Sequence, residues 1–146
     1  MDVRPALLHV HPAIRSLLTA AELPLEDLAT ADVRFLVATQ DDEPVAAIGL
    51  ESFEGAGLLR SLVVRADLRG SGIGGQLVDA LESLARQSGM DRLVLLAQTA
   101  APFFQRRGYR AIDRDETPDS VRASAQFRSL CPASATCMTK PLDPTR

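Results

Sequence analysis

"DLRGSGIGGQLVDAL", residues 67–81, joins a glycine-rich loop to an amphipathic helix. Glycine stands at positions 70, 72, 74 and 75, and the apolar residues that follow recur at helical spacing. Glycine lets backbone N–H groups approach a ligand closely, and the positive end of the helix dipole points to the same place. The stretch therefore predicts a cradle for a pyrophosphate, to which Arg69 adds a cation. The alternative is a loop that only turns a strand into a helix.

Two common phosphate-binding motifs do not fit this stretch. Gly70, Gly72 and Gly75 have the G-x-G-x-x-G spacing of a dinucleotide-binding turn, but that turn leaves the first strand directly. It also requires an acidic residue at the end of the next strand, where this chain has Gln98 and Thr99. No Walker lysine follows the final glycine. A dinucleotide-binding enzyme is therefore kept only as a rival interpretation, which a thermal shift with NAD(H) would support.

The composition favours one cytoplasmic domain. The chain has 146 residues, a formal net charge of −3 and 46% hydrophobic residues. This length allows one hydrophobic core, so we expect a single domain over residues 1–146 with a loose tail from 140. No apolar run is long enough for a membrane span or a signal peptide, which predicts a cytoplasmic protein without a membrane partner. The basic residues are scattered, so no nucleic-acid partner is expected. His9 and His11 have no further ligands at metal-binding spacing, and no metal is expected.

Hydrophobic periodicity predicts alternating strands and helices, which indicates an α/β (α+β) fold. The polar group "QDDEP" predicts a hairpin turn between the second and third strands. In the helix after the glycine loop, the apolar residues form one stripe, with Asp79, Glu82 and Arg86 on the opposite side and Gly89 as a stop. Strands are predicted at 3–10, 33–39, 44–54, 58–64, 92–97, 109–113 and 134–140, and helices at 11–24, 73–88, 99–108 and 117–127, with one more helical turn at 24–29.

The glycine loop resembles a known acetyl-CoA loop. "RGSGIG" is similar to R-x-x-G-x-G, the pyrophosphate loop of the GNAT acetyltransferase superfamily, and "LRSLVV" before it and the helix after it stand in the matching places. The resemblance implies a GNAT-type acyl-CoA N-acyltransferase fold, with a mixed, mostly antiparallel sheet flanked by helices, and acetyl-CoA as the co-substrate. In that superfamily the backbone of the strand before the loop pairs with the pantetheine arm. This assigns Leu62, Val63 and Val64 to the pantetheine, and Arg69, Gly70, Ser71, Gly72, Ile73 and Gly74 to the pyrophosphate.

Three segments, "LLRSLVV", "TAAPFFQRRGY" and "FRSLCPASATCM", are similar to the type-two arsenic-resistance N-acetyltransferases. This resemblance implies acetyl transfer to the amine of a small molecule, with arsenical and phosphinothricin-like amino acids as acceptors by analogy. Cys131 and Cys137 are six residues apart and would share one face of an extended segment, where a dithiol binds trivalent arsenic. The alternative for both is packing as small apolar side chains. A dithiol arsenic-binding protein is therefore a further, less favoured function.

The catalytic residues depart from the pattern of the superfamily. Many members have a glutamate at the position of Arg60, and an arginine cannot act as a base, but it can hold a substrate carboxylate. The resemblance predicts a tyrosine as general acid where this chain has Phe104, whereas Tyr109 falls on the next strand, where we expect it to pack. Arg60 is therefore predicted to bind substrate, with an exposed or ion-paired arginine as the alternative. A catalytically silent acyl-CoA sensor is the leading alternative function.

Glu51 is the carboxylate predicted to act as the base, through a water molecule. It lies in an otherwise apolar strand predicted next to the strand before the loop, and burial raises the pKa of a carboxylate toward a useful value. The alternative is that Glu51 points to solvent from an alternating strand. The predicted partner is a small-molecule amine, and we also expect a homodimer because many proteins of this fold pair.

Overall fold

The computed structural model describes residues 2–6, 11–23, 33–124, 127 and 134–142. Its strands form a mixed seven-stranded sheet, as expected of the GNAT fold. Within the described residues, no helix is long and apolar enough to span a membrane. The strands are β1 (Asp2–Pro5), β2 (Val33–Gln40), β3 (Glu43–Phe53), β4 (Ala56–Val64), β5 (Arg92–Ala97), β6 (Arg110–Ala111) and β7 (Thr136–Pro141), and the helices are α1 (His11–Ala20), α2 (Ile73–Gln87), α3 (Ala101–Arg106) and α4 (Asp119–Arg122).

The chain divides into two compact units, and the first comprises Met1–Glu51 and Leu59–Leu84. Its strands follow the order β1-β2-β3-β4, and β1–β2 and β2–β3 are antiparallel. Asp41 and Asp42 both have positive φ angles, of 53° and 64°, as the two central residues of a tight hairpin turn require. The hairpin predicted from "QDDEP" is confirmed.

A hydrophobic cluster joins α1 to the sheet of this unit. Ile14 and Leu18, four residues apart on one helix face, are 2% and 0% exposed. They pack against Val37 of β2, Ala47 of β3 and Val63 of β4. The amphipathic pattern of residues 11–24 thus buries α1 against three neighbouring strands, one of which leads into the glycine loop.

The helix after the loop buries the predicted stripe and one residue more. Ile73, Leu77, Val78 and Leu81 are all at most 4% exposed. Glu82, predicted on the polar side, is only 5% exposed, so that part of the prediction is wrong. Glu82 is four positions after Val78. Its side chain therefore lies about 40° from that of Val78 around the helix, at the edge of the apolar stripe.

The second unit comprises Ser52–Leu58 and Ala85–Arg146, with the strand order β4-β5-β7-β6. β4 and β5 are parallel, whereas β7 is antiparallel to both β5 and β6. β5 is largely buried, as its continuous apolar run predicts. A core cluster fills this unit: Ala56, Leu58, Val94, Val121, Phe127 and Cys137.

Several elements are shorter in the structure than the sequence predicts. In the described part of the helix predicted at 117–127, the α-helix covers Asp119–Arg122 with Ala123 as its C-cap, and the Phe127 N–H donates to the Ser124 hydroxyl at 3.5 Å. The strand predicted at 109–113 is limited to Arg110–Ala111, since Asp113 begins a capped helical turn. The first strand ends at Pro5 and does not include Ala6, whereas residues 7–10 of its predicted range, like the turn at 24–29, lie outside the described residues.

Candidate functional site

The end of β4 and the loop after it are closely tied to the neighbouring backbone. The Arg65 N–H donates to the Val45 carbonyl of β3 at 2.8 Å. The Arg65 guanidinium binds both carboxylate oxygens of Asp67, at 2.7 and 3.1 Å, and these hydrogen bonds hold the pKa of Asp67 below its ordinary value. Arg69, which is exposed, donates through Nε to the Val64 carbonyl at 3.3 Å. The strand end and the start of the loop are therefore ordered by local contacts.

Two glycines in the loop have a conformation that other residues rarely adopt. Gly70 and Gly72 have φ angles of +83° and +90°. A Cβ atom built on either residue would meet nothing within 4 Å, so that side of the loop is open. The Ser71 hydroxyl instead turns inward and donates to the Leu68 carbonyl at 2.5 Å. The glycines thus expose backbone where an anion would need it, which fits a pyrophosphate.

The helix that follows presents its positive end directly after this loop. The first helical bond runs from the Gln76 N–H to the Gly72 carbonyl, at 3.2 Å. Ile73 is 4% exposed and fixes the first turn in the core. No acidic residue lies in that turn, so no side chain there neutralises the helix dipole. The N-terminus of a helix carries a partial positive charge, which favours the binding of an anion there.

The backbone of β4 changes its pairing before the loop begins. The parallel ladder with β5 includes Ala56, Gly57 and Leu58, and among the described residues it includes none of Leu59–Val64. Val63 is 5% exposed and packs in the α1 cluster, whereas Leu62 and Val64 are half-buried. The described ladder between β4 and β5 thus ends before the residues that the sequence assigns to the pantetheine arm.

A buried ion pair joins β3 to β4 just before these residues. The Arg60 Nη1 atom donates to the Glu51 Oε1 atom at 3.1 Å, and the two side chains are 1% and 9% exposed. Arg60 Nε also donates to the Ser61 hydroxyl at 3.3 Å, and Ser61 has a φ of +59° within the strand. The structure therefore brings together the two residues for which the sequence predicts catalytic and substrate roles. Nothing in the sequence indicates the left-handed Ser61, because serine rarely adopts it.

Comparison with known proteins identifies the family. Residues 31–111, more than half of the chain, match the GNAT acetyltransferase domain. The chain belongs to the GNAT acetyltransferase family. It is therefore an acetyltransferase, with acetyl-CoA as its co-substrate.

Individual relatives agree with this assignment. The uncharacterized N-acetyltransferase YjcF of Bacillus subtilis is 32% identical over 101 residues, which are 68% of this chain and 71% of YjcF. The amino-acid acetyltransferase of Escherichia coli is 30% identical over 61% of this chain, but the match spans only 20% of that enzyme. The N-acetylglutamate synthase of Neisseria gonorrhoeae, solved with coenzyme A and N-acetyl-glutamate, superposes with a TM-score of 0.82 at 22% identity, over 97% of this chain and 35% of that one. At this low identity, the comparison with the N-acetylglutamate synthase shows a shared fold and no more.

Two aromatic residues of the second unit pack together in this GNAT domain. Phe104, at the position where the resemblance predicts a tyrosine, is 4% exposed and lies edge-to-face with Tyr109 at 5.3 Å between ring centroids. Tyr109 is 3% exposed, which confirms its predicted packing role. The Nζ atom of Lys140 lies 5.5 Å from the centre of the Tyr109 ring.

Cys137 is a buried thiol in the core of the second unit. It is 4% exposed, and it packs in the cluster that contains Leu58, Val94 and Phe127. Cys131, its predicted partner in arsenic binding, lies outside the described residues. In the part of the GNAT domain that the structure describes, no group of three or more His, Cys, Asp or Glu residues is placed to hold a metal ion.

We expect the stability of the domain to decrease at alkaline pH through Cys137. Burial raises the pKa of this thiol above its ordinary value of 9.0. Above pH 9.0 the unfolded chain therefore loses the proton before the folded domain does, so the stabilisation is complete below that pH and is lost as the pH rises. Through this one thiol, the free energy of unfolding can decrease by at most about 1.4 kcal/mol per pH unit. Urea unfolding from pH 8 to 10 measures it, and Cys137→Ala should show a shallower decrease; equal slopes would contradict the prediction.

Proposed function

We propose that this GNAT domain acetylates the amine of a small amino acid that carries a second acidic group. Arsenical and phosphinothricin-like amino acids belong to this class, as does glutamate. Acetyl-CoA supplies the acetyl group as a thioester. The loop that contains Gly70 and Gly72 holds the pyrophosphate, and the β4 backbone at 62–64 holds the pantetheine arm.

The conformation of the glycine loop is the observation that carries this proposal. Both glycines have positive φ angles, both have open space where a Cβ would stand, and α2 begins immediately afterwards without an acidic residue in its first turn. Such an arrangement directs N–H groups and the helix dipole at one point. Arg69 stands directly before Gly70 and supplies a cation, and its Nε donates to the carbonyl of Val64, the last residue of β4. Arg69, Gly70, Ser71, Gly72, Ile73 and Gly74 are thus the proposed pyrophosphate site.

The proposed chemistry makes modest demands on the side chains. The acceptor amine must reach the thioester in its neutral form, because only that form is a nucleophile. A thiolate is a good leaving group, since thiols ionise at a far lower pKa than alcohols or amines. A phenylalanine in place of the general acid is therefore expected to slow transfer without abolishing it.

The proposed acceptor class rests on the relatives. Enzymes named amino-acid acetyltransferases are about 30% identical to this chain, although it spans only about a quarter or less of their length. The structure with the TM-score of 0.82 holds N-acetyl-glutamate, the acetylated form of an acidic amino acid. Acidic amino acids are thus the first acceptors to test, with the arsenical and phosphinothricin-like members beside them.

Arg60 and Glu51 enter the proposal with the roles suggested by the sequence. Arg60 would bind the acidic group of the acceptor and Glu51 would take up a proton through water. Both roles require the ion pair to open, because the Arg60 Nη1 and Glu51 Oε1 atoms bind each other at 3.1 Å and Arg60 is only 3% exposed. A direct test of these two roles is therefore whether the ion pair opens when the acceptor binds.

We also propose that residues 1–146 act as one domain and form a homodimer. The boundaries between the two units fall inside β4 and inside α2, between Leu84 and Ala85, so no linker separates them. A single cooperative unfolding transition is expected, and light scattering should report twice the mass of 15.7 kDa.

Calorimetric titration with acetyl-CoA, followed by assays of CoA release, tests the proposed function. One-to-one heat is expected, and release should be fastest with glutamate, phosphinothricin or an arsenical amino acid. N-acetyl-glutamate, whose amine is blocked, is the matched control and should give no release above background. Binding without release across the panel would indicate a sensor instead. No binding of acetyl-CoA would contradict the proposal.

A further inference from the structure

The strained residue of β4 lies between the buried ion pair and the proposed pantetheine strand. Ser61 has a φ of +59°, in a region that serine occupies only when its surroundings hold it there. It is followed directly by Leu62, the first of the residues proposed to pair with acetyl-CoA. The conformation of Ser61 therefore decides how the backbone at 62–64 is presented.

Arg60 contacts both Ser61 and Glu51. Arg60 Nε donates to the Ser61 hydroxyl at 3.3 Å, and the same guanidinium donates through Nη1 to Glu51 Oε1 at 3.1 Å. The guanidinium thus links the hydroxyl of Ser61 to a carboxylate on β3. The strands also approach closely here, because a Cβ on Gly49 of β3 would lie 3.3 Å from the Arg60 carbonyl.

The strand alternation shows what the left-handed residue does. Side chains of a regular strand alternate between faces, so a residue three positions after another points to the opposite face. A left-handed residue interrupts this alternation, and beyond Ser61 the Val63 side chain is 5% exposed and packs in the α1 cluster. If Ser61 became extended, the residues after it would change faces. Val63 would then leave its cluster, and the backbone before the glycine loop would turn away from its present direction.

We propose that Glu51 and Arg60 are positioning residues, which hold Ser61 in its left-handed conformation and so orient the backbone of 62–64 toward acetyl-CoA. This inference rests on the proposed function, since it needs acetyl-CoA to bind along β4. It assigns the pair a role that does not require the ion pair to open.

A rescue experiment tests this role. The double variant Glu51→Leu with Arg60→Met removes both charges together and leaves neither buried alone, so the chain keeps a fair prospect of folding. Its affinity for acetyl-CoA is expected to fall about tenfold, the scale of one strained backbone residue. Adding Ser61→Gly should restore the affinity to within about twofold of the wild type, because glycine adopts positive φ without support. Adding Ser61→Ala should leave the affinity as low as in the double variant, because alanine has neither the hydroxyl of serine nor the backbone freedom of glycine.

Glu51→Gln separates positioning from base catalysis. The amide oxygen of glutamine still accepts the Arg60 hydrogen bond, but it cannot take up a proton. The acetyl-CoA affinity reports on positioning, whereas turnover also reports on proton uptake by Glu51. We expect the acetyl-CoA affinity to stay within about threefold of the wild type, because the hydrogen bond to Arg60 is kept. If the affinity instead falls as far as in the double variant Glu51→Leu with Arg60→Met, the hydrogen bond does not position the strand and the proposal is overturned. Failure of Ser61→Gly to rescue a folded double variant would also overturn it.

Unfolding measurements keep this inference distinct from the proposed function. Replacing the pair by Glu51→Leu with Arg60→Met should lower the unfolding midpoint in urea less when position 61 is Gly than when it is Ser, whether or not acetyl-CoA binds. Equal costs would show that the pair does not hold Ser61. If the wild type itself binds no acetyl-CoA, the proposed function fails. The proposal that β4 is oriented toward acetyl-CoA then fails as well. The unfolding data still show whether the ion pair holds Ser61.

Discussion

Replacing Gly72 with aspartate is expected to weaken acetyl-CoA binding by about 100-fold. Gly72 has a φ of +90°, so any side chain strains the loop, and the carboxylate would stand in the open space beside the proposed pyrophosphate site. Two negative charges separated by about 5 Å repel each other by about 1 kcal/mol even in water, and a pyrophosphate carries more than one charge. Strain and repulsion together account for the expected loss. Calorimetric titration with acetyl-CoA measures it.

Two matched variants separate the causes of this loss. Gly72→Asn has nearly the same shape without the charge, and asparagine tolerates positive φ comparatively well, so binding should fall by about tenfold or less. Gly89→Asp introduces the same residue at a φ of +83° just beyond the other end of α2, where it should reduce stability but not affinity. If Gly72→Asp and Gly72→Asn weaken binding equally, the loop does not hold a negatively charged group.

Leu18→Ala is expected to lower the free energy of unfolding by about 2–5 kcal/mol. Leu18 is fully buried, at 0% exposure, and it packs with Ile14, Val37 and Val63 in the cluster that fixes α1 to the sheet. Truncation removes the apolar contacts and leaves a cavity among three strands that cannot all move inward. Urea unfolding of the purified variant measures the change in the free energy of unfolding from the shift of the transition midpoint.

Leu17 provides the control in the same helix. It is only half-buried at the margin of this cluster, so Leu17→Ala has the same chemistry and nearly the same helix propensity but loses fewer contacts. We expect it to cost less than half as much as Leu18→Ala. Equal costs for the two variants would mean that the burial of Leu18 does not determine the stability of α1.

Local patterns in the sequence were sufficient for much of the fold and for the loop. The stripe of α2 depends on the geometry of one helix, the hairpin on the turn residues at 41–42, and the loop on glycines whose positive φ angles other residues avoid. Each of these signals lies within about fifteen consecutive residues. Tertiary contacts have little opportunity to override them, and the structure agrees with them.

Predictions that depended on idealised periodicity were less successful. Glu82 was placed on the polar side of α2 because it is charged, yet it is buried at the edge of the apolar stripe. Among the described residues, the helix predicted at 117–127 is an α-helix only over Asp119–Arg122. An average helical period specifies neither how far a helix extends nor how deeply a residue at the edge of its apolar stripe is buried.

Most of the helices and strands, the glycine loop and the family can be predicted from the sequence, because they depend on residues that are close together along the chain. The pairing of Glu51 with Arg60 and the left-handed conformation of Ser61 are seen only in the folded chain. Those features depend on the approach of two strands, which brings together a carboxylate and a guanidinium nine positions apart in the chain. A buried charge is stabilised by a partner that folding brings to it, and no pattern of spacing in the chain specifies which partner that will be.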